Sequence, residues 1–383
     1  MRRIAVFSGN RAEYGLLFPI IRAMKDRGDL DVRVVVSGAH VSEPFGRTVD
    51  EILDDGVEIT ATADLGIQGG SVKEQTLSLA RGIGQFCEIL DALRPDISLV
   101  YADRMEGFAA AIASFEMNIP VAHVEGGDLT EGGTHDDSVR HAMTKLAHLH
   151  FTTSLEAAER VKRLGEEEWR VVFAGLPTLD TIRRNELAPP EETCREFALD
   201  RARPILVFTQ HPVSTEPDKA RAQVVESLEA LKAVGAQTVI TYPNSDPGSQ
   251  AIIDAFRVYE AVPHFQFHKS LGRRRYLGLL NVAWAVVGNS SSGIKETPSF
   301  GIPCVNVGTR QLGRLRAENV IDVGYDRDAI ARAVGAALHD EETRTRARKC
   351  SKPYGEGRCG EIVAARLAEV PLGERLLRKR MTY

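Results

Sequence analysis

Short apolar runs alternate along most of the chain with longer segments in which apolar residues recur every three or four positions. The second pattern is clear in Val139, Ala142, Met143 and Leu146, which lie on one face of a helix. This alternation predicts parallel sheets with helices on both faces. The apolar runs predict strands at residues 3–8, 32–36, 97–101, 119–122, 149–153, 170–174, 204–209, 238–242, 264–268, 283–287 and 303–307.

One stretch interrupts the alternation. Residues 176–203 carry Pro177, Pro189 and Pro190 among charged residues, without an apolar run. We therefore predict an α/β protein with two doubly wound Rossmann-like domains. The predicted parts are an N-terminal domain at 1–175, a connector at 176–203, a C-terminal nucleotide-binding domain at 204–358 and a C-terminal helix at 359–383 that packs back on the N-terminal domain. The basic residues at 375–380 are expected to form a solvated helix end.

Composition narrows the class of protein. The chain has 383 residues, 43% hydrophobic and 26% charged, which is typical of soluble globular proteins. A net charge of −5 argues against nucleic-acid binding. No apolar run approaches the ~20 residues that cross a bilayer, and the N-terminus lacks a signal-peptide pattern. Five widely spaced cysteines without a CxxC pair predict reduced thiols and a cytoplasmic location, and no motif predicts a metal site.

The most unusual stretch follows the strand predicted at residues 119–122. A glycine-rich loop and the start of a helix collect carboxylates there, beside three histidines. In a parallel sheet, ligands bind beyond the carboxyl ends of the strands. Crowding and burial raise the pKa of a carboxyl group towards neutrality, which suits acid/base catalysis. The alternative is a solvated acidic loop with helix caps. The carboxylates are Glu125, Asp128, Glu131, Asp136 and Asp137.

Cationic side chains follow other strands. Arg11 stands after the first strand, in a loop that matches neither GxGxxG nor a P-loop, and its guanidinium suits a phosphate. The alternative is a surface arginine paired with Glu13. Asp103 and Arg104 place an acid and a base after a third strand.

The second half contains a candidate diphosphate site at residues 288–293, Gly-Asn-Ser-Ser-Ser-Gly, between a strand and a helix. Small residues there let backbone N–H groups and the hydroxyls of Ser290 and Ser291 approach an anion, and Glu296 follows one turn later. The alternative is a serine-capped helix. Three further residues follow predicted strands. They are His211, Arg310 and Asn244, of which Asn244 is equally a turn former.

These loops, in this order, resemble the UDP-N-acetylglucosamine 2-epimerase family over about residues 3–370. The segments that carry the resemblance are 10–17 (NRAEYGLL), 102–104 (ADR), 123–128 (HVEGGD), 133–141 (GTHDDSVRH), 288–296 (GNSSSGIKE), 306–314 (NVGTRQLGR) and 353–357 (PYGEG). The family usually has glycine where this chain has Ala102. The EGGx pattern followed by DDSxRH is most similar to the hydrolysing branch, which releases a free N-acetylmannosamine-type sugar for sialic-acid-like pathways.

The resemblance implies a glycosyltransferase-B-like fold, with two domains facing a cleft. It assigns the nucleotide and its diphosphate to Arg11, Arg104, His211, Asn244, Ser290, Ser291, Glu296 and Arg310. It offers Asp103, Glu125 and Asp136 or Asp137 as acid/base residues, with His211 near the phosphates. It also implies no cofactor, UDP in preference to GDP, and a homodimer or homotetramer.

The predicted reaction is elimination followed by hydration. Glu125 or Asp103 removes the C2 proton as the nucleoside diphosphate leaves, and Asp136 or Asp137 helps to add water to the resulting glycal. Alternatives are a non-hydrolysing epimerase, a GDP-sugar-specific hydrolysing epimerase, a glycosyltransferase of the same fold and a nucleotide-sugar-binding protein without catalysis.

Overall fold

The computed structural model describes residues 1–41, 49–67, 72–129, 135–213, 215–243, 247–269 and 271–383. The chain divides into two compact units. The first contains Met1–Leu129, most of the chain from there to Thr181, and Tyr354–Tyr383, and the second contains Ile182–Pro353. Each unit has its own sheet and its own core on both sides of that sheet.

The described residues of the first unit form a parallel sheet of seven strands, in the order β3-β2-β1-β4-β5-β6-β7. The strands are β1 (Arg2–Ser8), β2 (Leu30–Ser37), β3 (Ile59–Ala63), β4 (Ile97–Tyr101), β5 (Val121–Val124), β6 (Leu149–Thr152) and β7 (Val171–Phe173). The strand order reverses direction between β1 and β4, and such a reversal is where doubly wound sheets bind ligands.

Helices cover both faces of this sheet. They are α1 (Arg11–Arg27), α2 (Asp50–Asp54), α3 (Val72–Leu93), α4 (Met105–Glu116), α5 (His135–Leu146), α6 (Leu155–Arg163) and α7 (Thr178–Arg183), followed near the C-terminus by α16 (Cys359–Glu369) and α17 (Glu374–Leu377). The chain enters the second unit within α7.

The described part of the second unit forms a parallel sheet of six strands, in the order β10-β9-β8-β11-β12-β13. The strands are β8 (Ile205–Thr209), β9 (Gln237–Thr241), β10 (Phe265–His268), β11 (Ala285–Gly288), β12 (Cys304–Val307) and β13 (Val320–Val323). The order reverses between β8 and β11. The helices are α8 (Pro190–Glu196), α9 (Ala220–Val234), α10 (Ser249–Tyr259), α11 (Arg273–Val282), α12 (Ser291–Lys295), α13 (Thr297–Phe300), α14 (Arg327–His339) and α15 (Glu341–Arg348).

The apolar runs form strands because helices bury both of their faces. In β1, Ile4 and Val6 lie in one core cluster while Ala5 and Phe7 lie in the other. A strand that is buried on both sides has no position for a charge, so its sequence is continuously apolar. The predicted fold class of two doubly wound Rossmann-like domains is confirmed.

The C-terminal helix α16 packs on α1 in the first unit. The carboxylate of Asp180 accepts hydrogen bonds from the backbone N–H groups of Cys359 (2.8 Å) and Gly360 (2.7 Å), which caps the start of α16. A Cβ at Gly360 would lie 2.5 Å from the carbonyl oxygen of Pro19. Only glycine therefore permits this close helix contact.

The prediction of a solvated basic C-terminal end is wrong for Lys379. Its ammonium donates to the carbonyl oxygens of Lys145 (2.7 Å) and Ala147 (2.6 Å) and pairs with Glu166 at 2.8 Å. Carbonyls at a helix C-terminus have no partner within the helix and attract a cation, which explains why this lysine is held there. In the described segments, no helix combines the length and hydropathy of a membrane span.

Candidate active site

The loop after β1 starts the candidate site in the first unit. Asn10 caps α1 by accepting a hydrogen bond from the N–H of Glu13 at 3.0 Å. Arg11, the first residue of α1, pairs with Glu51 of α2 at 2.5 Å and is about two-fifths exposed. Glu13 turns inward and accepts a hydrogen bond from the N–H of Gly9 at 2.5 Å. The guanidinium of Arg11 is therefore partly exposed to solvent, whereas the carboxyl group of Glu13 is buried.

Glu13 is buried, and sequence analysis gave it no functional role. Burial, followed by the nearby charge of Glu106, raises its pKa to about 8, against the opposing effects of the Gly9 N–H and Arg104. Its carboxyl group is thus largely protonated at neutral pH. Arg104 itself is exposed and stands immediately before α4.

Asp103 follows β4 through a tight turn in which Ala102 has a φ of 51°. Positive φ favours glycine, so the alanine here keeps a backbone conformation that is unusual for its type. Asp103 forms an ion pair with Arg140 of α5, a buried residue. The same guanidinium pairs with Asp137 at 2.5 Å and donates to the carbonyl oxygen of Asp128 at 2.8 Å. One arginine therefore compensates two largely buried carboxylates, which would otherwise carry a large desolvation cost.

Asp136 and Asp137 lie next to each other in the first turn of α5 but point to different surroundings. Asp137 is buried against Arg140, whereas Asp136 is exposed. Successive helix residues are about 100° apart, so only one of two neighbours faces the core. Asp136 is the one of this pair that solvent and ligands reach.

Glu125 directly follows β5 and is partly buried. Its φ of 67° places it in the left-handed region, and its N–H donates to the carbonyl oxygen of Phe151 at 2.9 Å. The hydroxyl of Tyr101, the last residue of β4, donates to its carboxylate. Backbone and side chain are therefore both held.

His123 connects the ends of β4 and β5. Its Nε2 hydrogen-bonds the carbonyl oxygen of Ala102 at 2.7 Å, so this nitrogen carries the proton. Burial lowers the pKa of His123 to about 3. A histidine that stays neutral at physiological pH supports the turn before Asp103 and does not supply a charge there.

In the second unit, Asn289 organises the loops after β8 and β11. Its side-chain amide accepts a hydrogen bond from the N–H of His211 (2.7 Å) and donates one to the carbonyl oxygen of the same residue (2.9 Å). Its own carbonyl oxygen accepts hydrogen bonds from Gln311 (2.8 Å) and Arg310 (3.3 Å). Burial, and then the charge of Arg310, lowers the pKa of His211 to about 3. His211 is thus a neutral imidazole beside a cation.

The serine loop approaches β8 closely. Gly288 has a φ of 123°, and a Cβ there would lie 2.0 Å from the carbonyl oxygen of Thr209. Ser290 and Ser291 are half-buried at the start of α12. The next serine, Ser292, donates to Glu296 at 2.6 Å and hydrogen-bonds the hydroxyl of Tyr276 at 2.7 Å. Glu296 is therefore oriented by the loop that precedes it.

In each unit, the predicted residues lie at the carboxyl ends of the strands, at one edge of the sheet. The first unit collects Arg11, Asp103, Arg104, Glu125, Asp136 and Asp137, and the second collects His211, Ser290, Ser291, Glu296 and Arg310. Asn244 lies outside the described residues. Sequence reasoning gave no role to Arg140, Tyr101 or Asn289, although Arg140 and Asn289 both lie within quoted motifs. Among the described side chains, no group of three or more His, Cys, Asp or Glu residues is arranged to hold a metal ion.

Known proteins share this chain's sequence over most of its length. The model of the UDP-N-acetylglucosamine 2-epimerase family matches residues 22–368. The chain is 34% identical over 387 aligned residues to the hydrolyzing UDP-N,N'-diacetylbacillosamine 2-epimerase of Legionella pneumophila, with 100% of both chains covered. It is 31% identical to the UDP-N-acetylglucosamine 2-epimerase of Neisseria meningitidis, with 88% of each chain covered.

Solved structures share the fold. The crystal structure of the UDP-GlcNAc 2-epimerase from Neisseria meningitidis bound to UDP-GlcNAc has a TM-score of 0.83 at 20% identity, covering 97% of this chain and 100% of that one. The Methanocaldococcus jannaschii UDP-GlcNAc 2-epimerase in complex with UDP-GlcNAc and UDP has a TM-score of 0.77 at 19% identity, covering 95% and 99%. With its family-model match, its full-length relatives and this fold, the chain belongs to the UDP-N-acetylglucosamine 2-epimerase family.

Proposed function

We propose that this protein is a hydrolysing 2-epimerase, which converts a UDP-2-acetamido sugar and water into the free manno-configured sugar and UDP. The observation that carries the proposal is the acidic edge of the first sheet, where Glu125 is held in a fixed conformation beside the Asp103–Arg140–Asp137 ion-pair group. A nucleotide-binding protein without catalysis has no need for these carboxylates. The 34% identical relative is named as a hydrolysing enzyme.

In the first step, Glu125 removes the proton from C2 of the sugar. The C2–H electron pair forms the C1=C2 double bond, the C1–O bond breaks, and UDP leaves with the electron pair of the C1–O bond. We assign the base to Glu125 and not to Asp103, because Asp103 is held in an ion pair with Arg140. A positioned acid/base group typically contributes ~10²–10⁴ in rate.

The departing diphosphate is the part of the substrate on which negative charge increases. Arg310, Ser290 and Ser291 supply a guanidinium and hydroxyl donors at the end of β11, and Arg11 supplies a second guanidinium. Preorganised donors of this kind are usually the largest electrostatic contribution to a rate enhancement. Neutral His211 adds a donor or acceptor without repelling Arg310.

In the second step, water adds across the double bond of the glycal. The C1=C2 electron pair takes a proton from Asp136 at C2, on the face opposite to the one that lost its proton, which inverts C2. Water bonds to C1 and gives its spare proton back to Asp136, and the proton on Glu125 passes to solvent. We assign proton delivery to Asp136, because Asp137 and Asp103 are tied to Arg140 whereas Asp136 is exposed at the start of α5.

Product analysis tests the proposal. The protein is incubated with UDP-N-acetylglucosamine, a UDP-diacetamido sugar and their GDP counterparts, and ¹H and ³¹P NMR follow the products. We expect equal amounts of free sugar and UDP from one of the UDP-sugars. Products formed only from a GDP-sugar would correct the nucleotide, and no free nucleotide from any of them would contradict hydrolysis.

A non-hydrolysing epimerase is the second candidate, because the Neisseria relative and the structural neighbours are named as 2-epimerases without the hydrolysing qualifier. It would convert the UDP-sugar to its C2 epimer and leave the nucleotide attached. The same NMR spectra distinguish this result from free UDP.

A further inference from the structure

Tyr101 lies where β4 ends and is nearly fully buried, at 3% exposure. It is paired with Val124 in the parallel β4–β5 ladder, which places it beside the start of the loop after β5. Its hydroxyl donates a hydrogen bond to the Oε2 atom of Glu125. The bond thus connects the ends of two neighbouring strands at the acidic edge.

Glu125 has an unusual backbone. A left-handed conformation costs a non-glycine residue of order 1 kcal/mol or more and persists only where neighbouring contacts impose it. The backbone is held by the hydrogen bond to Phe151 of β6, and the carboxylate is held by Tyr101 of β4. Because both the backbone and the carboxylate of Glu125 are held, the carboxylate keeps one orientation. Efficient proton transfer requires such a fixed orientation.

We propose that Tyr101 is a positioning residue that orients the Glu125 carboxylate for proton removal at C2. This inference rests on the proposed function and deepens it, because it adds a residue to the acid/base machinery. The hydroxyl of Tyr101 donates to one oxygen of the carboxylate, so it holds the carboxylate in one direction.

The surroundings keep Tyr101 a donor. Burial, and then the charge of Glu125, raises the pKa of Tyr101 well above its ordinary value, so the phenol stays protonated over the working range of pH. The other ionisable groups that act on it are Cys359 at the start of α16 and Asp128 after β5. Burial, followed by Asp180 and Glu125, raises the pKa of the Cys359 thiol, so that thiol is neutral as well.

The alternative is that Tyr101 only fills the core. Tyr101→Phe removes the hydroxyl and keeps the ring, so it separates the two roles. We expect kcat for exchange of the C2 proton with solvent to fall about 10- to 100-fold, the loss that one hydrogen bond to a charged group gives. We also expect KM to change little, because the hydroxyl of Tyr101 contacts Glu125 and is not proposed to contact the substrate.

A matched control is Tyr259→Phe in the second unit. Tyr259 is also buried and also donates to a carboxylate, that of Glu229, at 2.7 Å. Its variant should keep kcat. A second variant, fluorotyrosine incorporated at position 101, keeps the shape of the side chain and its hydroxyl donor, and should keep kcat close to that of the wild-type chain.

Deuterium exchange at C2 in D₂O is the readout, because hydrolysing and non-hydrolysing epimerisation both require it. If the wild-type chain shows exchange but no free UDP, hydrolysis fails and the role of Tyr101 is still measured. If the wild-type chain exchanges and Tyr101→Phe keeps its kcat, or if fluorotyrosine at position 101 lowers kcat as much as Tyr101→Phe does, with UDP affinity showing that both variants are folded, the inference is overturned. If the wild-type chain shows no exchange with any of the sugars, both proposals are overturned.

Discussion

The carboxyl edges of the two sheets are built from opposite kinds of residues. The edge of the first sheet is made mainly of charged side chains, and its centre is a buried ion-pair group with Arg140 between Asp103 and Asp137. The edge of the second sheet is made mainly of small and neutral residues, organised by the amide of Asn289 and by Gly288, with Arg310 and Glu296 as its charged members. The same doubly wound topology therefore supports two chemistries. The first edge suits proton transfer, and the second suits an incoming anion.

The largest expected effect is a loss of turnover when Glu125 is replaced. It separates proton transfer at the first edge from anion binding at the second. Glu125→Gln keeps the shape of the side chain but cannot accept the C2 proton, so turnover should fall by ~10²–10⁴ or more. UDP affinity should stay nearly unchanged, because the proposed diphosphate residues do not include Glu125. Steady-state kinetics and calorimetric titration with UDP measure the two quantities, and a large loss of UDP binding would move Glu125 out of the catalytic role.

The second effect concerns stability at the first edge. Arg140→Met leaves Asp103 and Asp137 without their shared cation and should lower the free energy of unfolding by about 3–5 kcal/mol. The control is Arg257→Met, which removes an exposed pair with Asp254 and should cost less than about 1 kcal/mol. Thermal and urea unfolding of the full chain measure both. Equal costs for the two variants would mean that the buried ion pairs are not needed for stability.

The third effect concerns binding at the second edge. Arg310→Ala should raise the Kd for UDP by about 10- to 100-fold, because it removes a charge-assisted contact with the diphosphate. Arg332→Ala, at an exposed position of α14, is the control with the same change in net charge. Titration calorimetry measures both constants. An unchanged Kd for Arg310→Ala would take this arginine out of the diphosphate site.

The fourth effect is a pH dependence of stability at the first edge. The pKa of Glu13 in the folded chain, about 8, lies above its ordinary value of 4.5, so the folded state binds the proton more tightly than the unfolded state. This contribution is fully present below pH 4.5 and is lost as pH rises to about 8, with a slope of at most about 1.4 kcal/mol per pH unit. Glu13→Gln should flatten the decrease, and the exposed Glu116→Gln should not. Unfolding at several pH values between 4.5 and 8 checks this, and equal slopes in both variants would contradict the assignment.

The central strands could be predicted from sequence because both faces are buried and their composition is continuously apolar. The strands β3 and β13 were not predicted. Each is an outermost strand of its sheet. Each is partly exposed, and each mixes threonine or aspartate with apolar residues. Half-exposed strands of four or five residues lack the signal that identifies a buried one.

The site was predictable as a set of loops but not as a set of contacts. The loops after the apolar runs are rich in glycine, serine and carboxylates. They indicated that the site lies at the carboxyl ends of the strands in both sheets. The partnership of Arg140 with Asp103 joins residues 37 positions apart, and that of Asn289 with His211 joins residues 78 positions apart, so no local pattern contains either. The choice between Asp136 and Asp137 depends on the rotation of α5, which two adjacent identical residues cannot reveal.

The central claim is that Glu125 and its neighbours take and return a proton at C2 while UDP departs. The most direct test is the reaction of the wild-type protein in D₂O, with ¹H NMR of the sugar product. The account predicts one deuterium at C2 of a free manno-configured sugar, and one equivalent of UDP. A product that keeps hydrogen at C2, or keeps the configuration of the substrate there, would contradict it.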